Sequence, residues 1–341
     1  MRNSSSGRLV VCHANVFAEH ELYSPVRACV AQMKGELRLG TFPTRGEILD
    51  FARPADVFLT DAIQWGASMF AELEHLKMVV TYASGYDMIP VQAATEARVI
   101  VAYTPLYCVE EVADLAVGLL LVCSRRIAQL DRRVRQGLWG KKIVFSPPLR
   151  RLSLCTLGIM GLGHIGTRVC ARAKALGMRV LAWDPWITND QALERGALGL
   201  VDLDTLLAES DYLSLHLRLG DRTRHILGRS QFHQMKPTAY LINTARGGLV
   251  DESALVEALD QGLLAGAALD TIDPEPPRSD NPLLKMPNVV ITAHSGSVGE
   301  EASRDRQAQV AESLQRFSQG IWPKFVANPS VVPKVPLSDL R

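Results

Sequence analysis

The chain reads as an α/β protein built from two doubly wound parallel-sheet domains, and three observations predict this. Short β-branched runs alternate with amphipathic stretches twice over, from Arg8 to about Tyr103 and again from Leu154 to Thr292. A helix-length stretch that is apolar nearly all round separates the two series. A glycine-rich turn follows directly on the first strand of the second series. With 341 residues, 47% of them hydrophobic and 21% charged, the chain is long enough for two cores rather than one.

In the first series Leu9–Cys12, Val57–Thr60, Met78–Tyr82 and Val99–Tyr103 are predicted strands, and the stretches between them are predicted helices covering a parallel sheet. The segment from about Val109 to Arg126 predicts a helix sandwiched between layers. Its Glu110, Glu111 and Asp114 stand in the first turns, where the positive end of the helix dipole stabilises carboxylates. A loop with Gly137, Gly140, Pro147 and Pro148 follows. The second series has predicted strands at Leu154–Met160, Val180–Asp184, Tyr212–Leu217, Tyr240–Asn243, Gly266–Asp270 and Val289–Thr292. A last helix, about Glu300 to Phe317, is expected to run back toward the first domain, and the Pro-rich stretch from Pro323 to Pro336 is expected as an extended strap. No short-period repeat is present, which excludes solenoids and propellers.

Composition narrows the partners. Lys and Arg total 37 against 36 Asp and Glu, a net charge of +1, so no global field draws the chain to nucleic acid or to an anionic membrane. One local excess, nine basic residues against the single acid Asp131 between Arg125 and Arg151, reads as a solvated or subunit-contacting face. The six cysteines, Cys12, Cys29, Cys108, Cys123, Cys155 and Cys170, have no zinc-type spacing and read as reduced thiols of a cytoplasmic protein. Only four apolar residues, Leu9 to Cys12, follow the polar start, too few for a signal peptide, and the run Leu115–Cys123 is too short to span a membrane. No metal site is expected.

The motif with most chemical content is Gly161-Leu162-Gly163-His164-Ile165-Gly166, set between the strand ending at Met160 and a helical stretch from Thr167 to Leu176. Gly161 permits the tight turn, Gly163 lets the backbone approach a pyrophosphate, and Gly166 lets the helix pack closely, so phosphates rest on helix N–H groups. Asp184 ends the next strand 18 residues beyond Gly166, where a carboxylate accepts the ribose hydroxyls of a dinucleotide and repels a 2′-phosphate. Pro185 and Trp186 follow it, with no arginine. NAD is therefore expected over NADP.

Of the eight histidines, His13, His20, His75, His225 and His233 read as polar or loop positions, and His164 matters more for its backbone. His294 differs. It follows the strand Val289–Thr292 and precedes Ser295-Gly296-Ser297, so its ring emerges at a strand's carboxyl end, where doubly wound sheets bind ligands. Two more strand ends carry Asn243-Thr244-Ala245-Arg246-Gly247-Gly248 and Asp270-Thr-Ile-Asp-Pro-Glu275. An imidazole that titrates near neutrality, a carboxylate to stabilise its cation and a guanidinium fork for a carboxylate are the parts that reduce a 2-keto acid.

Taken together, the glycine motif, Ile242-Asn-Thr-Ala-Arg-Gly-Gly-Leu-Val-Asp-Glu252, Ala267-Ala-Leu-Asp270 with Pro274-Glu-Pro276, and Ile291-Thr-Ala-His294 resemble the NAD-dependent D-isomer-specific 2-hydroxyacid dehydrogenases over nearly the whole chain. Pro105-Leu-Tyr-Cys-Val-Glu-Glu-Val-Ala-Asp114 is most similar to the branch of phosphoglycerate dehydrogenase homologues and C-terminal-binding-protein co-repressors. The resemblance implies that Arg246 orients the substrate carboxylate and carbonyl, His294 protonates the carbonyl oxygen, and Glu275 raises the His294 pKa. Tyr82-Ala-Ser-Gly-Tyr-Asp87 resembles the substrate-carboxylate loop, with Ser84 and Gly85 offering N–H groups. Asp270 matches the residue that holds the nicotinamide carboxamide. Leu217, Arg218, Thr223, Thr244, Ala245, Arg246, His294 and Gly296 are the further expected cofactor contacts. The implied product is a (2R)-hydroxy acid, and the implied assembly is a homodimer in which the Arg125–Arg151 segment reaches the partner.

Some positions depart from the family pattern. Arg218 and Ala293 stand where proline is common, and Tyr103 stands where asparagine is frequent. No aromatic residue follows His294 closely, which counts against a co-repressor, and Glu275 in place of glutamine counts against a formate dehydrogenase. The expectation is a Rossmann NAD-binding domain, residues 109–299, inserted in a flavodoxin-like substrate domain, residues 1–108 and 300–341. The alternative is an NADH-responsive binding or co-repressor-like protein with little activity, which need not keep Arg246, Glu275 and His294 together. Tyr82, Tyr103, Tyr107 and Trp139 are candidates to line the pocket. The substrate stays open between glyoxylate or hydroxypyruvate, a phosphoglycerate-type acid, and acids bearing a phosphonate or second carboxylate.

Overall fold

In a computed structural model residues 9–14, 24–61, 63–140 and 145–339 are described. His20, the polar start of the chain, and Lys141 and Lys142 of the cationic segment lie outside them. The chain divides into two units: residues 1–108 with 299–341, and residues 109–298.

The first unit begins β1 (Val10–Ala14), α1 (Ser24–Gln32), β2 (Glu36–Gly40), α2 (Arg45–Ala52), β3 (Val57–Thr60), α3 (Ala67–Glu72), β4 (Met78–Thr81), α4 (Val91–Glu96) and β5 (Ile100–Ala102). Its five strands are all parallel in the order β2-β1-β3-β4-β5, the doubly wound flavodoxin-like order. The β-branched runs of β3, β4 and β5 are buried throughout, as strands covered on both faces must be. β2 was not expected from the sequence. Its charged residues alternate with Leu37 and Leu39, all half-buried, which is the pattern of an edge strand rather than a central one.

His13 corrects the sequence reading. It is not a loop residue but lies inside β1, buried, with its ring stacked on Tyr82 at 4.8 Å. Tyr82 is likewise buried in this unit. The unit is completed by a 19-residue helix, which packs along α1 and against β4. Beyond it the strap lies on the sheet edge: Ala327 donates to Val101 O (2.8 Å), Tyr103 donates to Phe325 O (3.2 Å), and buried Asn328 bonds Val101 N, Val99 O and Thr95 Oγ1. Lys334 Nζ ties the strap's far end to the carbonyls of Glu74 and Leu76.

The second unit runs α5 (Val109–Ser124), α6 (Ile127–Arg135), β6 (Thr156–Met160), α7 (His164–Ala175), β7 (Arg179–Trp183), α8 (Asn189–Glu194), α9 (Leu203–Glu209), β8 (Tyr212–Leu215), α10 (Arg229–Gln234), β9 (Tyr240–Asn243), α11 (Glu252–Asp260), β10 (Gly266–Leu269) and β11 (Val289–Ile291). The long helix that returns to the first unit is α12 (Glu300–Ser318). Six parallel strands lie in the order β11-β10-β9-β8-β6-β7. Strand order reverses between β6 and β8, so a crevice opens at their carboxyl ends, where the glycine turn sits. α7 starts at His164, three residues before the predicted start, because Gly163 rather than a later residue caps it.

Candidate active site

The glycine turn is shaped by what surrounds it. Gly161 has φ +93°, and a Cβ there would lie 2.8 Å from the backbone carbonyl of His216, in the loop after β8. A Cβ on Gly166 would lie 2.1 Å from Gly161 O, so helix and turn could not approach as they do. At Gly163, by contrast, nothing stands within 4 Å of the Cβ position. Among the described residues no side chain caps α7. Its first-turn N–H groups therefore keep their capacity for an anion, with the helix dipole behind them.

Asp184, nearly buried at the end of β7, accepts Leu162 N through Oδ2 and Trp186 N through Oδ1, both at 2.9 Å. The acid is thus fixed to the glycine turn itself, with lone pairs left on each oxygen for hydroxyl donors. Thr244 Oγ1 is buried with no hydrogen-bond partner among the described residues. An open helix end, a fixed carboxylate and an unsatisfied hydroxyl in one crevice fit a dinucleotide. Leu217 is buried and Arg218 exposed beside the turn, where Thr223 Oγ1 donates to Arg218 O at 2.6 Å. His164 and Ile165 are the first residues of α7.

The candidate reacting groups, Arg246, Glu275 and His294, come from three neighbouring strand ends. After β9, buried Asn243 pins the turn that carries Arg246: its Nδ2 donates to Arg246 O (2.9 Å) and its Oδ1 accepts Ala245 N (3.0 Å). Gly247 presses on the loop after β10, where a Cβ would lie 2.1 Å from the Ile272 carbonyl carbon. In that loop Asp270 accepts Thr292 Oγ1 (2.5 Å) and Ser295 N (2.9 Å) through Oδ1 and Gly296 N (2.9 Å) through Oδ2. Its backbone oxygen accepts His294 N at 2.8 Å. These bonds hold His294 in the left-handed region, φ 49°, an uncommon conformation for a residue with a side chain.

His294 Nδ1 lies 2.7 Å from Glu275 Oε2, and Glu275 Oε1 accepts Ile272 N at 3.2 Å. The hydrogen bond with Glu275 raises the His294 pKa above its ordinary value; partial burial opposes this, the Glu275 and Asp270 charges add to it, and Arg246 opposes it. For Glu275, burial pushes the carboxyl up, but the bond and charge of His294, Ile272 N–H and the Arg246 charge outweigh it and hold the carboxyl below the usual range. The ring is half exposed and its Nε2 has no partner among the described residues. That leaves one nitrogen poised to give or take a proton.

Ser84 and Gly85 belong to the first unit, in the turn after β4, and are half-buried. Thr104 anchors this turn, its N–H and Oγ1 both directed at Ala83 O. Sequence reasoning missed the supporting roles of Asn243 and Thr292, although both stand within the quoted motifs. A polar residue at the last position of a strand was the available signal.

Residues 117–296 match the model of the D-isomer specific 2-hydroxyacid dehydrogenase NAD binding domain. A glyoxylate reductase of Korarchaeum cryptofilum is 41% identical over 297 residues, 85% of this chain and 88% of that protein. A D-3-phosphoglycerate dehydrogenase of Methanocaldococcus jannaschii is 37% identical over 90% of this chain, which spans only 58% of that protein. The solved glyoxylate reductase from Paecilomyes thermophila superposes with a TM-score of 0.84 at 28% identity, covering 95% of this chain and 99% of that one.

Proposed function

The chain belongs to the D-isomer-specific 2-hydroxyacid dehydrogenases and is NAD-dependent; from that premise we propose that it reduces a 2-keto acid of the glyoxylate and hydroxypyruvate class to the (2R)-hydroxy acid. The 2.7 Å pairing of His294 Nδ1 with Glu275 Oε2 carries this reading, because it keeps Nδ1 protonated and the cation stable, and so leaves Nε2 as the proton donor. Relatives named glyoxylate reductase and hydroxypyruvate reductase support the substrate class, as proteins similar to this one.

NADH, when bound, supplies the hydride. Arg246 grips the substrate carboxylate and polarises the carbonyl, its guanidinium offering a planar fork that a lysine lacks. His294 gives its Nε2 proton to the carbonyl oxygen as charge develops there, and Glu275 stabilises the imidazolium before transfer. Asp270 keeps the loop after His294 in place and would hold the carboxamide of the cofactor. The glycine turn, Asp184, Thr244 and Ala245 hold the rest of the dinucleotide, and Ser84 with Gly85 hold the substrate carboxylate. In this reading residues 109–298 form the NAD unit and residues 1–108 with 299–341 the substrate unit.

We further propose a homodimer in the cytoplasm. Ile127, Val134, Leu138 and Trp139 expose apolar surface within the Arg-rich segment, as a subunit contact would require, and all six cysteines are buried. Light scattering on the purified protein measures the assembly. NADH consumption with glyoxylate, hydroxypyruvate and pyruvate, beside an NADPH control, tests the activity. Turnover abolished by His294→Ala is the expected result; tight NADH binding without turnover of any acid would overturn it.

A further inference from the structure

Arg306 of α12 lies at the carboxyl ends of the central strands of the first unit, among residues that the reaction described above does not use. Its guanidinium carbon stands 5.9 Å from the Tyr82 ring centre and 5.6 Å from that of Tyr107. Tyr82 follows β4 directly and leads into the Ser84–Gly85 turn. The His13 ring also stacks on Tyr82, nearly parallel to it. His13 is uncharged at neutral pH: burial first, and the Arg306 charge second, push its pKa down to about 3. The aromatic rings hold a cation but contribute no hydrogen-bond acceptor in the plane of its fork.

The charge on Arg306 is poorly answered. Among the described residues its one ion pair is with Asp61 at 3.9 Å, the outer limit of such a contact, and Asp61 is half exposed to solvent. Its Nε is buried and has no hydrogen-bond partner among the described residues. A buried, unpartnered donor on a charged group is costly unless something accepts from it. A guanidinium set over two rings, on a side chain still 27% exposed and answered only by a distant carboxylate, beside the turn proposed to hold the substrate, has the chemistry of an anion subsite.

We infer that Arg306, positioned by Tyr82 and Tyr107, is a specificity-determining residue that takes a second anionic group on the 2-keto acid. This rests on the dehydrogenase reading and extends its substrates beyond the monoanions glyoxylate and hydroxypyruvate to 2-keto acids whose chain carries a carboxylate, phosphate or phosphonate beyond the keto carbon. The cation, not the Arg125–Arg151 segment, answers the extra charge.

The test compares kcat/KM of the full-length NADH-loaded enzyme for oxaloacetate, 2-oxoglutarate, phosphonopyruvate and 3-phosphohydroxypyruvate with that for pyruvate, in wild type, Arg306→Met and Arg306→Lys. One or more dianionic acids should exceed pyruvate in wild type, and their ratio to pyruvate should fall by about 10- to 100-fold in Arg306→Met, mostly through KM, with partial recovery in Arg306→Lys. The four acids distinguish which anionic group is taken. An unchanged ratio, a wild-type preference for pyruvate, or an equal loss on all acids with a lowered Tm would overturn the inference. Calorimetric binding of phosphonopyruvate and 2-oxoglutarate to the NAD-loaded protein separates the two readings. Binding lost in Arg306→Met without turnover in wild type would sustain the subsite while refuting the reductase; turnover with no Arg306-dependent binding would do the reverse.

Discussion

Asp270 grips His294 from behind: its backbone oxygen accepts the His294 N–H at 2.8 Å while its carboxylate accepts the next two backbone N–H groups, of Ser295 and Gly296. One residue thereby sets the backbone on both sides of the proposed proton donor. Asp270→Asn keeps the shape but replaces an acceptor oxygen by an NH2 that faces N–H donors. A loss of about 1–3 kcal/mol in stability is expected. Thermal melting reads the first effect, and a fall in kcat with His294 displaced reads the second; an unaltered kcat would show that the ring is held by other means.

Glu275→Gln tests the origin of the raised His294 pKa. With His294 as the proposed proton donor, reduction requires the protonated ring, so it falls as pH rises through that pKa, and oxidation rises over the same interval. Without the carboxylate the pKa drops toward its ordinary value, and both limbs should move to lower pH. Stability follows the same signs. The raised histidine contributes fully below its unfolded pKa and loses its share as pH rises through the folded one; the depressed Glu275 contributes above its unfolded pKa and loses its share as pH falls through the folded one. The pair is thus strongest between the two carboxyl and imidazole ranges. Superimposable pH profiles for wild type and variant would refute this account.

Gly161 and Gly163 should fail in different ways. Gly161→Ala forces a Cβ against the His216 carbonyl at φ +93°, and about 1–3 kcal/mol of stability should be lost. At Gly163 an added Cβ meets no atom within 4 Å among the described residues, so Gly163→Ala should melt normally while NADH binds about 10- to 100-fold more weakly, its pyrophosphate kept from the helix end. Equal melting shifts for the two variants would contradict the distinction.

Asn328→Ala should destabilise the first unit without touching its chemistry. The side chain is buried and satisfies Val101 N and Val99 O, which would be left without partners. Each costs about 1–3 kcal/mol. Urea unfolding measures the sum, and a midpoint equal to wild type would mean that the strap is not held by this residue.

What the sequence discloses is what local chemistry decides. β3 and β9 were bounded to the residue, and the loops bearing Arg246, Glu275 and His294 were legible because each motif sits at a strand end, where backbone direction fixes which way the side chain faces. β2 was hidden because an edge strand need not be apolar. His13 was misread because its neighbour in space, Tyr82, is far away in sequence, and a buried histidine has no local mark. Arg306 was invisible for the same reason, being one more charged residue in a helix rich in them.

The strap along β5 sets an order of events during synthesis. Val101 and Tyr103 find their backbone partners only in residues 325–328, more than two hundred positions later, whereas the unit of residues 109–298 is contiguous. On the ribosome that contiguous unit is complete first, while the earlier sheet waits with an unpaired outer strand, a template for misassembly with other nascent chains. The emerging strap closes that edge, so the vulnerable interval for aggregation ends only when residues 325–328 have left the exit tunnel.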